Sequence, residues 1–290
     1  TLTSQKLGER ALKPGDEVIT LASGFPTTIN PILQYQCVPV LLDISIPGYN
    51  VDPGDLEKAV SSKTKAIILA HTLGNPFDLD AVMEVAKRHD LWVIEDNCDA
   101  LGAEFGDKKT GGVGHLGTCS FYPAHHITMG EGGAVLINDP ELLRIAESMR
   151  DWGRDCWCKT GQDNTCGRRF SGQYGKLPFG YDHKYVYSER GYNFKITDIQ
   201  AAIGLSQLDS LDEFIEKRRI NHHYLSGIIK EMFGDDIITD TSHPRAKPSW
   251  FGCTLTLDGP LAGKRQQLLQ FLESKKVGSR LLFAGNILKQ

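Results

Sequence analysis

From residue 18 to residue 137, short apolar β-branched runs alternate with amphipathic segments, and this alternation constrains the fold more than any other feature. The runs are residues 18–21, 38–44, 66–71, 91–95, 118–122 and 134–137, and residues 30–36, 55–60 and 80–88 between them fit helices. In the last of these, Ala81-Val82, Val85-Ala86 and His89 follow the 3.6-residue period of a helix. Strands that alternate with helices imply crossover connections and a mostly parallel sheet covered on both faces. Ligands of such sheets gather at the carboxyl ends of the strands. The loops that begin near Ser23, His71, Asp96 and Pro123 are therefore the first places to look for function.

Residues 139–150 read as a helix capped by Asp139, with Pro140 in its first turn. The pattern then breaks down over residues 151–190, a stretch rich in Gly, aromatic and Cys residues with no sustained period. An irregular segment of that length is functional or mobile. Helix resumes after Thr197, which can cap residues 198–211, and continues through 212–229. Residues 248–257 look like a strand opening a second, smaller α/β domain. Residues 1–11 read as the end of a helix already under way, and residues 281–290 stop just after an apolar run. The sequence is thus expected to be a fragment of a longer fold, truncated at both ends.

The chain has 290 residues, 40% hydrophobic and 23% charged, which suits a globular protein with one large domain and part or all of a second. A net charge of −4 gives no reason to expect nucleic acid or an anionic membrane as partner. No stretch approaches the roughly 18 apolar residues that span a bilayer. No secretory signal pattern is visible, so the expected location is the cytoplasm. Seven cysteines are too few for a disulfide scaffold and odd in number, which favours metal binding or burial.

Three constellations carry chemistry. The run Val93-Ile94-Glu95-Asp96-Asn97-Cys98-Asp99-Ala100 ends a buried strand in two carboxylates. Solvated acids at a strand terminus are the plain reading. The functional one lets one acid hold a cation there, such as a pyridinium nitrogen, which a neighbouring carboxylate keeps protonated. The run from Ser120 to Gly133, SFYPAHHITMGEGG, takes a strand into a polar turn and a Gly-rich bend. Adjacent histidines on a turn usually just face solvent, and glycines punctuate many loops. Finally, Cys156, Cys158 and Cys166 lie in the irregular segment, separated by one and seven residues. That spacing suggests a metal site, with zinc the common occupant and an iron–sulfur cluster the other.

The first two of these segments, in this order, resemble the sugar aminotransferase family of fold-type-I pyridoxal phosphate enzymes (DegT/DnrJ/EryC1/StrS). The resemblance runs through the whole chain and includes Phe25-Pro26-Thr27-Thr28, His71-Thr72-Leu73-Gly74-Asn75-Pro76 and Gly191-Tyr192-Asn193-Phe194-Lys195-Ile196-Thr197. It implies an α/β fold of the aspartate aminotransferase type. Residues 1–150 would form the large cofactor-binding domain, 151–190 a cysteine-containing active-site region, 191–230 a helical connection and 231–290 the start of a small domain. It also implies that Asp96 pairs with the pyridine nitrogen, Phe25 stacks on the ring and Ser120 binds the phosphate. Asn193 would reach the phosphate of a neighbouring subunit, which makes the protein a homodimer.

The chain departs from the family at one position. Family aminotransferases carry lysine at the sixth position of the segment that starts at Ser120, and here that position holds His125. Imidazole cannot form the imine that lysine forms with the cofactor aldehyde, yet it can act as a base at neutral pH. The resemblance then implies non-covalent pyridoxamine 5′-phosphate (PMP) and dehydration of a sugar in place of amino transfer. His125 would be the base, with Tyr122 and Asp99 assisting. The spacing Cys98-x57-Cys156-x-Cys158-x7-Cys166 is similar to the 2Fe–2S ligand set of one subgroup, the CDP-4-keto-6-deoxyglucose 3-dehydrases that lead to 3,6-dideoxyhexoses. That subgroup implies a nucleotide-sugar substrate and a separate flavin or iron–sulfur reductase as electron donor.

Two other readings stand beside this one. A dehydratase without a redox step, acting on a TDP- or GDP-linked sugar, would leave the cysteines holding zinc or nothing. A regulatory paralogue that lost its lysine would bind nucleotide sugar without turning it over, but decay would not install four matched cysteines. Cys37, Cys119 and Cys253 show no partner spacing and read as buried or inert thiols. His71, His89, His115, His222, His223 and His243 read as ordinary polar positions, and His183 as a packing residue.

Overall fold

A computed structural model describes residues 1–159 and 161–290; Thr160, inside the cysteine-containing stretch, lies outside the described residues. The chain divides into two compact units. One comprises residues 1–12 and 137–198, the other residues 13–136 and 199–290.

In the larger unit the apolar runs become strands β1 (Glu17–Leu21), β2 (Val38–Leu42), β3 (Thr64–Ala70) and β4 (Trp92–Asp96). The short strands β5 (Glu104–Phe105) and β6 (Lys108–Lys109) follow, then β7 (Leu116–Ser120) and β8 (Gly133–Ile137). The main sheet has six strands in the order β2-β1-β3-β4-β7-β8. The pairings of β1 with β2 and β3, β3 with β4, and β4 with β7 are all parallel. Helices α1 (Pro26–Gln34), α2 (Pro53–Ala59) and α3 (Leu79–Arg88) connect the first four strands.

These elements form where local chemistry dictates. In α3, the Asp78 carboxylate accepts from Ala81 N, and the helix turns Leu79, Val82, Val85 and Ala86 inward. They join Ile19, Leu21, Ile67, Leu69, Val93 and Phe105 in one apolar core. The Asp52 carboxylate caps α2 in the same way. The register pairs Ala70 with Asp96 and Asp96 with Thr118, so β3, β4 and β7 end at one edge of the sheet. His71 N donates to Asp96 O at 3.0 Å and Asn97 N to Thr118 O at 2.9 Å, which extends the ladder one step into the loops.

In the smaller unit α4 (Pro140–Arg150) is capped by Asp139, whose carboxylate accepts from Glu141 N and Leu142 N. Residues 151–190 carry a single 3₁₀ turn at His183–Tyr185 among the described residues. The expected helix at residues 1–11 is instead a Ser4-capped 3₁₀ segment, Gln5–Arg10, interrupted at Gly8 where φ is 58°. A left-handed glycine cannot continue a right-handed helix.

The larger unit then continues with α5 (Asp198–Leu208), α6 (Leu211–Phe233), β9 (Ile237–Ile238), β10 (Ala246–Lys247), β11 (Thr256–Leu257) and α7 (Arg265–Ser274). The strand expected over residues 248–257 is regular only at β11, which pairs antiparallel with β9. Its earlier backbone groups bond elsewhere. Ser249 N donates to Gly74 O, Phe251 N to Leu73 O, and the Arg218 guanidinium to the Trp250 and Phe251 carbonyls. Pro248 has no N–H to offer a ladder. Among the described residues, no helix is long and apolar enough to cross a membrane.

Candidate active site

The two acids that end β4 point to opposite faces and have different partners. Glu95 is fully buried, and its carboxylate accepts from Gly111 N (2.7 Å), Val113 N (2.7 Å) and Gly114 N (2.6 Å). His71 Nε2 lies 2.9 Å from its other flank, with the His71 ring stacked on Phe77 at 4.2 Å between centroids. Burial pushes the Glu95 carboxyl up, but the His71 hydrogen bond and charge and the backbone donors outweigh it and hold it below its ordinary value. Glu95 therefore anchors the loop before β7, and His71, read from the sequence as an ordinary polar position, is part of the core.

Asp96 is only partly buried and faces the strand-end edge. Its Oδ2 accepts from the Thr28 hydroxyl at 2.6 Å, and its Oδ1 from Cys98 N at 3.2 Å. Thr28 sits in the first turn of α1, whose N-cap is Phe25, so α1 delivers both residues to this edge. The Phe25 ring is 53% exposed and free to stack on a planar ligand. Ser120 ends β7 at the same edge, and its Oγ accepts from Tyr122 N at 3.3 Å.

His125 follows on the turn after β7, where its backbone N–H bonds to Tyr122 O. Its side chain is 15% exposed, and Nδ1 stands 3.3 Å from Asp99 Oδ1. That is ion-pairing distance, but the geometry is too bent for a hydrogen bond, and His125 Nδ1 has no hydrogen-bond partner among the described residues. Phe251 packs against the ring at 5.4 Å, and Tyr122, half exposed, lies edge-on at 6.4 Å. His126 has a different role. It is buried and donates from Nε2 to Ser249 O at 2.9 Å. Burial and the Arg218 charge push its pKa down to about 4, so it is a neutral structural residue. The structure thus brings Asp96, Asp99, His125, Ser120 and Phe25 to one strand-end edge of the larger unit.

The thiols of Cys156, Cys158 and Cys166 lie together in the smaller unit, their sulfurs within 4.8 Å of one another. Cys166 N and Arg168 N point at the Cys158 and Cys166 sulfurs, each at 3.4 Å. The Thr165 hydroxyl, with further donors outweighing a small burial effect, pulls Cys158 down to about 6, while burial raises Cys156 to about 11. His183, fully buried, offers Nδ1 to Cys166 Sγ at 3.7 Å and bonds Asp155 through Nε2 at 2.8 Å. Cys98 belongs to the other unit, where burial pushes its thiol up. Asn193 lies in the smaller unit, bridged through its backbone to Asp151.

A mostly parallel sheet of this strand order, with an acid at the end of β4 and a polar turn after β7, defines a fold-type-I, aspartate aminotransferase-like enzyme architecture. Comparison with known proteins agrees with that. The family model described as "DegT/DnrJ/EryC1/StrS aminotransferase family" matches residues 4–290, and the chain belongs to this family. It is 54% identical over its whole length to the lipopolysaccharide biosynthesis protein RfbH of Salmonella typhimurium, covering 66% of that protein. It is 53% identical over 99% of its length to a dTDP-4-dehydro-2,6-dideoxy-D-glucose 3-dehydratase of Saccharopolyspora spinosa, covering 62% of it. Among solved structures, E. coli GDP-4-keto-6-deoxy-D-mannose-3-dehydratase with bound hydrated PLP superposes with a TM-score of 0.84 at 30% identity. That match covers 98% of this chain and 69% of the other. The chain therefore spans roughly two thirds of the length of these relatives.

Proposed function

We propose that the protein is a PMP-dependent 3-dehydrase of a nucleotide-linked 4-keto-6-deoxyhexose, carrying a 2Fe–2S cluster and working in deoxysugar biosynthesis. The observation that carries the reading is His125, which stands at the family's lysine position beside Asp99. The names of the similar proteins support a 3-dehydratase on a nucleotide sugar.

The residues present fit the cofactor. Asp96 would hold the proton on its pyridine nitrogen, the exposed Phe25 ring would cover one face, and Ser120 would bind the phosphate. Asn193 would serve the phosphate of the partner in a homodimer. Apolar side chains exposed on α5 and α6, among them Ile199, Leu205, Tyr224 and Met232, support such a partner. When bound, the cofactor supplies an amine for the substrate ketone and a ring that accepts electrons. His125 would accept the proton from the cofactor's methylene carbon, and Asp99 would stabilise the charge the imidazole gains. Tyr122 would line the same turn on the open side. In such a site the general base is worth about 10²- to 10⁴-fold in rate.

The donor set of Cys156, Cys158 and Cys166 fits a thiolate-bound metal group, with Cys98 as the fourth ligand of the proposed cluster. A separate reductase would feed it. The domain assignment that accompanies this reading places the cofactor on residues 1–150 and the cluster region on 151–190.

Two experiments test the proposal. In His125→Lys, added pyridoxal 5′-phosphate, the aldehyde form of the cofactor, should become covalently attached, survive dialysis and turn the protein yellow, while dehydration falls at least a hundredfold. A variant that binds cofactor no more firmly overturns the role of His125. Protein purified anaerobically should contain iron and sulfide in equal amounts, and turnover of the CDP-linked substrate should depend on a reductase. Stoichiometric zinc without sulfide, or reductase-independent turnover of TDP- or GDP-linked substrates, favours the dehydratase without a redox step.

A further inference from the structure

Away from the strand-end edge, the larger unit gathers three side chains of metal-binding type that the proposed reaction does not use. His222 on α6, Asp240 just after β9 and Cys253 in the irregular stretch before β11 offer a ring nitrogen, a carboxylate oxygen and a sulfur. These atoms all lie within 4.8 Å of one another. His222 is 8% exposed and Asp240 6%. The His222 ring is clamped flat on Trp250, with centroids 3.8 Å apart and planes 4° from parallel, and its Nε2 is 3.0 Å from Asp240 Oδ1. Thr254 N donates to the same oxygen at 3.1 Å. The second oxygen, Asp240 Oδ2, is buried and has no hydrogen-bond partner among the described residues. A buried carboxylate oxygen without a partner is destabilising, so a cation there removes that penalty.

We propose that His222, Asp240 and Cys253 form a binding site for a zinc-class divalent cation, with a water as the fourth ligand. The donor chemistry selects the ion. A thiolate with an imidazole suits zinc, whereas calcium and magnesium take oxygen ligands throughout. The geometry is close to what zinc needs. Bonds of about 2.0–2.3 Å at tetrahedral angles put neighbouring ligand atoms roughly 3.3–3.7 Å apart. The imidazole would coordinate through Nε2, its proton moving to Nδ1, and Cys253 would release its thiol proton to solvent. A cleft of about 400 Å³, bordered by His223, Ser226, Ile237 and Asp240, lies next to this cluster.

The site would also matter to its surroundings. Trp250 is next to Ser249, which holds His126, and to Phe251, which packs on His125. An ion joining α6 to Asp240 and Cys253 would stiffen the segment that backs the catalytic turn. This inference does not depend on the proposed reaction.

Cobalt(II) titration of the anaerobic chain tests it, read by the thiolate-to-cobalt charge-transfer absorption. The unaltered chain, first stripped of iron and sulfide, should take up two equivalents, one at the Cys156 loop and one at this site, and Cys253→Ser should remove one of them. With Cys156, Cys158 and Cys166 all changed to Ser, one equivalent with a single-thiolate band should remain, and zinc should displace it. Adding Cys253→Ser or Asp240→Asn to that background should abolish or weaken uptake at least tenfold. Equal uptake with and without Cys253, or uptake only in large excess of cobalt, overturns the proposal.

Discussion

Replacing Glu95 with glutamine tests whether this buried acid is a structural anchor. The carboxylate accepts three backbone N–H groups and faces His71, all at 2.6–2.9 Å. Glutamine keeps one acceptor oxygen but turns an NH₂ group toward backbone donors that it cannot satisfy. Breaking one side of a buried, hydrogen-bonded charge network costs about 3–5 kcal/mol, a large share of a typical stability of about 5–15 kcal/mol. Urea unfolding at neutral pH should therefore lose about that much. The pH dependence gives a second reading. The folded Glu95 pKa lies below its ordinary value, so its contribution is present above the unfolded pKa. It fades as pH falls from about 4.5 through the lower folded value. The unaltered protein should lose this increment on acidification, and Glu95→Gln should lack that part of the slope. A loss under about 1 kcal/mol with an unchanged acid slope would refute the anchoring role.

Other predictions follow from the same geometry. Gly117→Ala should destabilise the protein by at least ~2 kcal/mol in the same unfolding assay, because its Cβ would lie 1.9 Å from Gly111 O. Asp139→Ala should cost about 1 kcal/mol, read as a lower melting temperature, since the carboxylate caps α4 through two N–H groups. In metal-free protein, Cys158 should alkylate fastest, with a rate that rises through about pH 6, while Cys253, raised to about 11 chiefly by burial, stays unreactive at neutral pH. Peptide mass mapping distinguishes the two.

The sheet was legible because runs of apolar β-branched residues favour strands whether central, as in β1, β3 and β4, or at the sheet's edges, as in β2 and β8, and the observed strands fall within two residues of the expected ones. The Asp139 and α3 boundaries were equally plain, since caps and apolar spacing are local signals. Residues 248–255 misled because their apolar content reflects packing against the loop after β3 and against Arg218, partners distant in sequence. His71 and His222 were missed for the same reason. A histidine carries no local mark of burial, and its acid partner lies 24 residues away in one case and 18 in the other.

What local sequence does carry is the division of labour within adjacent pairs. Successive side chains of a strand face opposite sides, so Glu95 and Asp96 cannot share a role once β4 is central in the sheet. One must be buried, and a buried carboxylate persists only where donors converge, as Gly111, Val113 and Gly114 do. The other is left for the strand-end edge, where Thr28 and Cys98 N hold it without filling its capacity to accept. His125 and His126 divide likewise. His126 spends its ring N–H on Ser249 O and is held neutral, which makes it part of the scaffold. His125 Nδ1 instead stands 3.3 Å from Asp99; neither His125 nor His126 Nδ1 has a hydrogen-bond partner among the described residues, so it is the acid neighbour that sets His125 apart. In both pairs the member that bonds backbone in the core supports the fold. The member at the strand-end edge is the one available for chemistry, so His126→Asn should lower stability while His125→Asn should leave the melting temperature nearly unchanged and abolish the proposed dehydration.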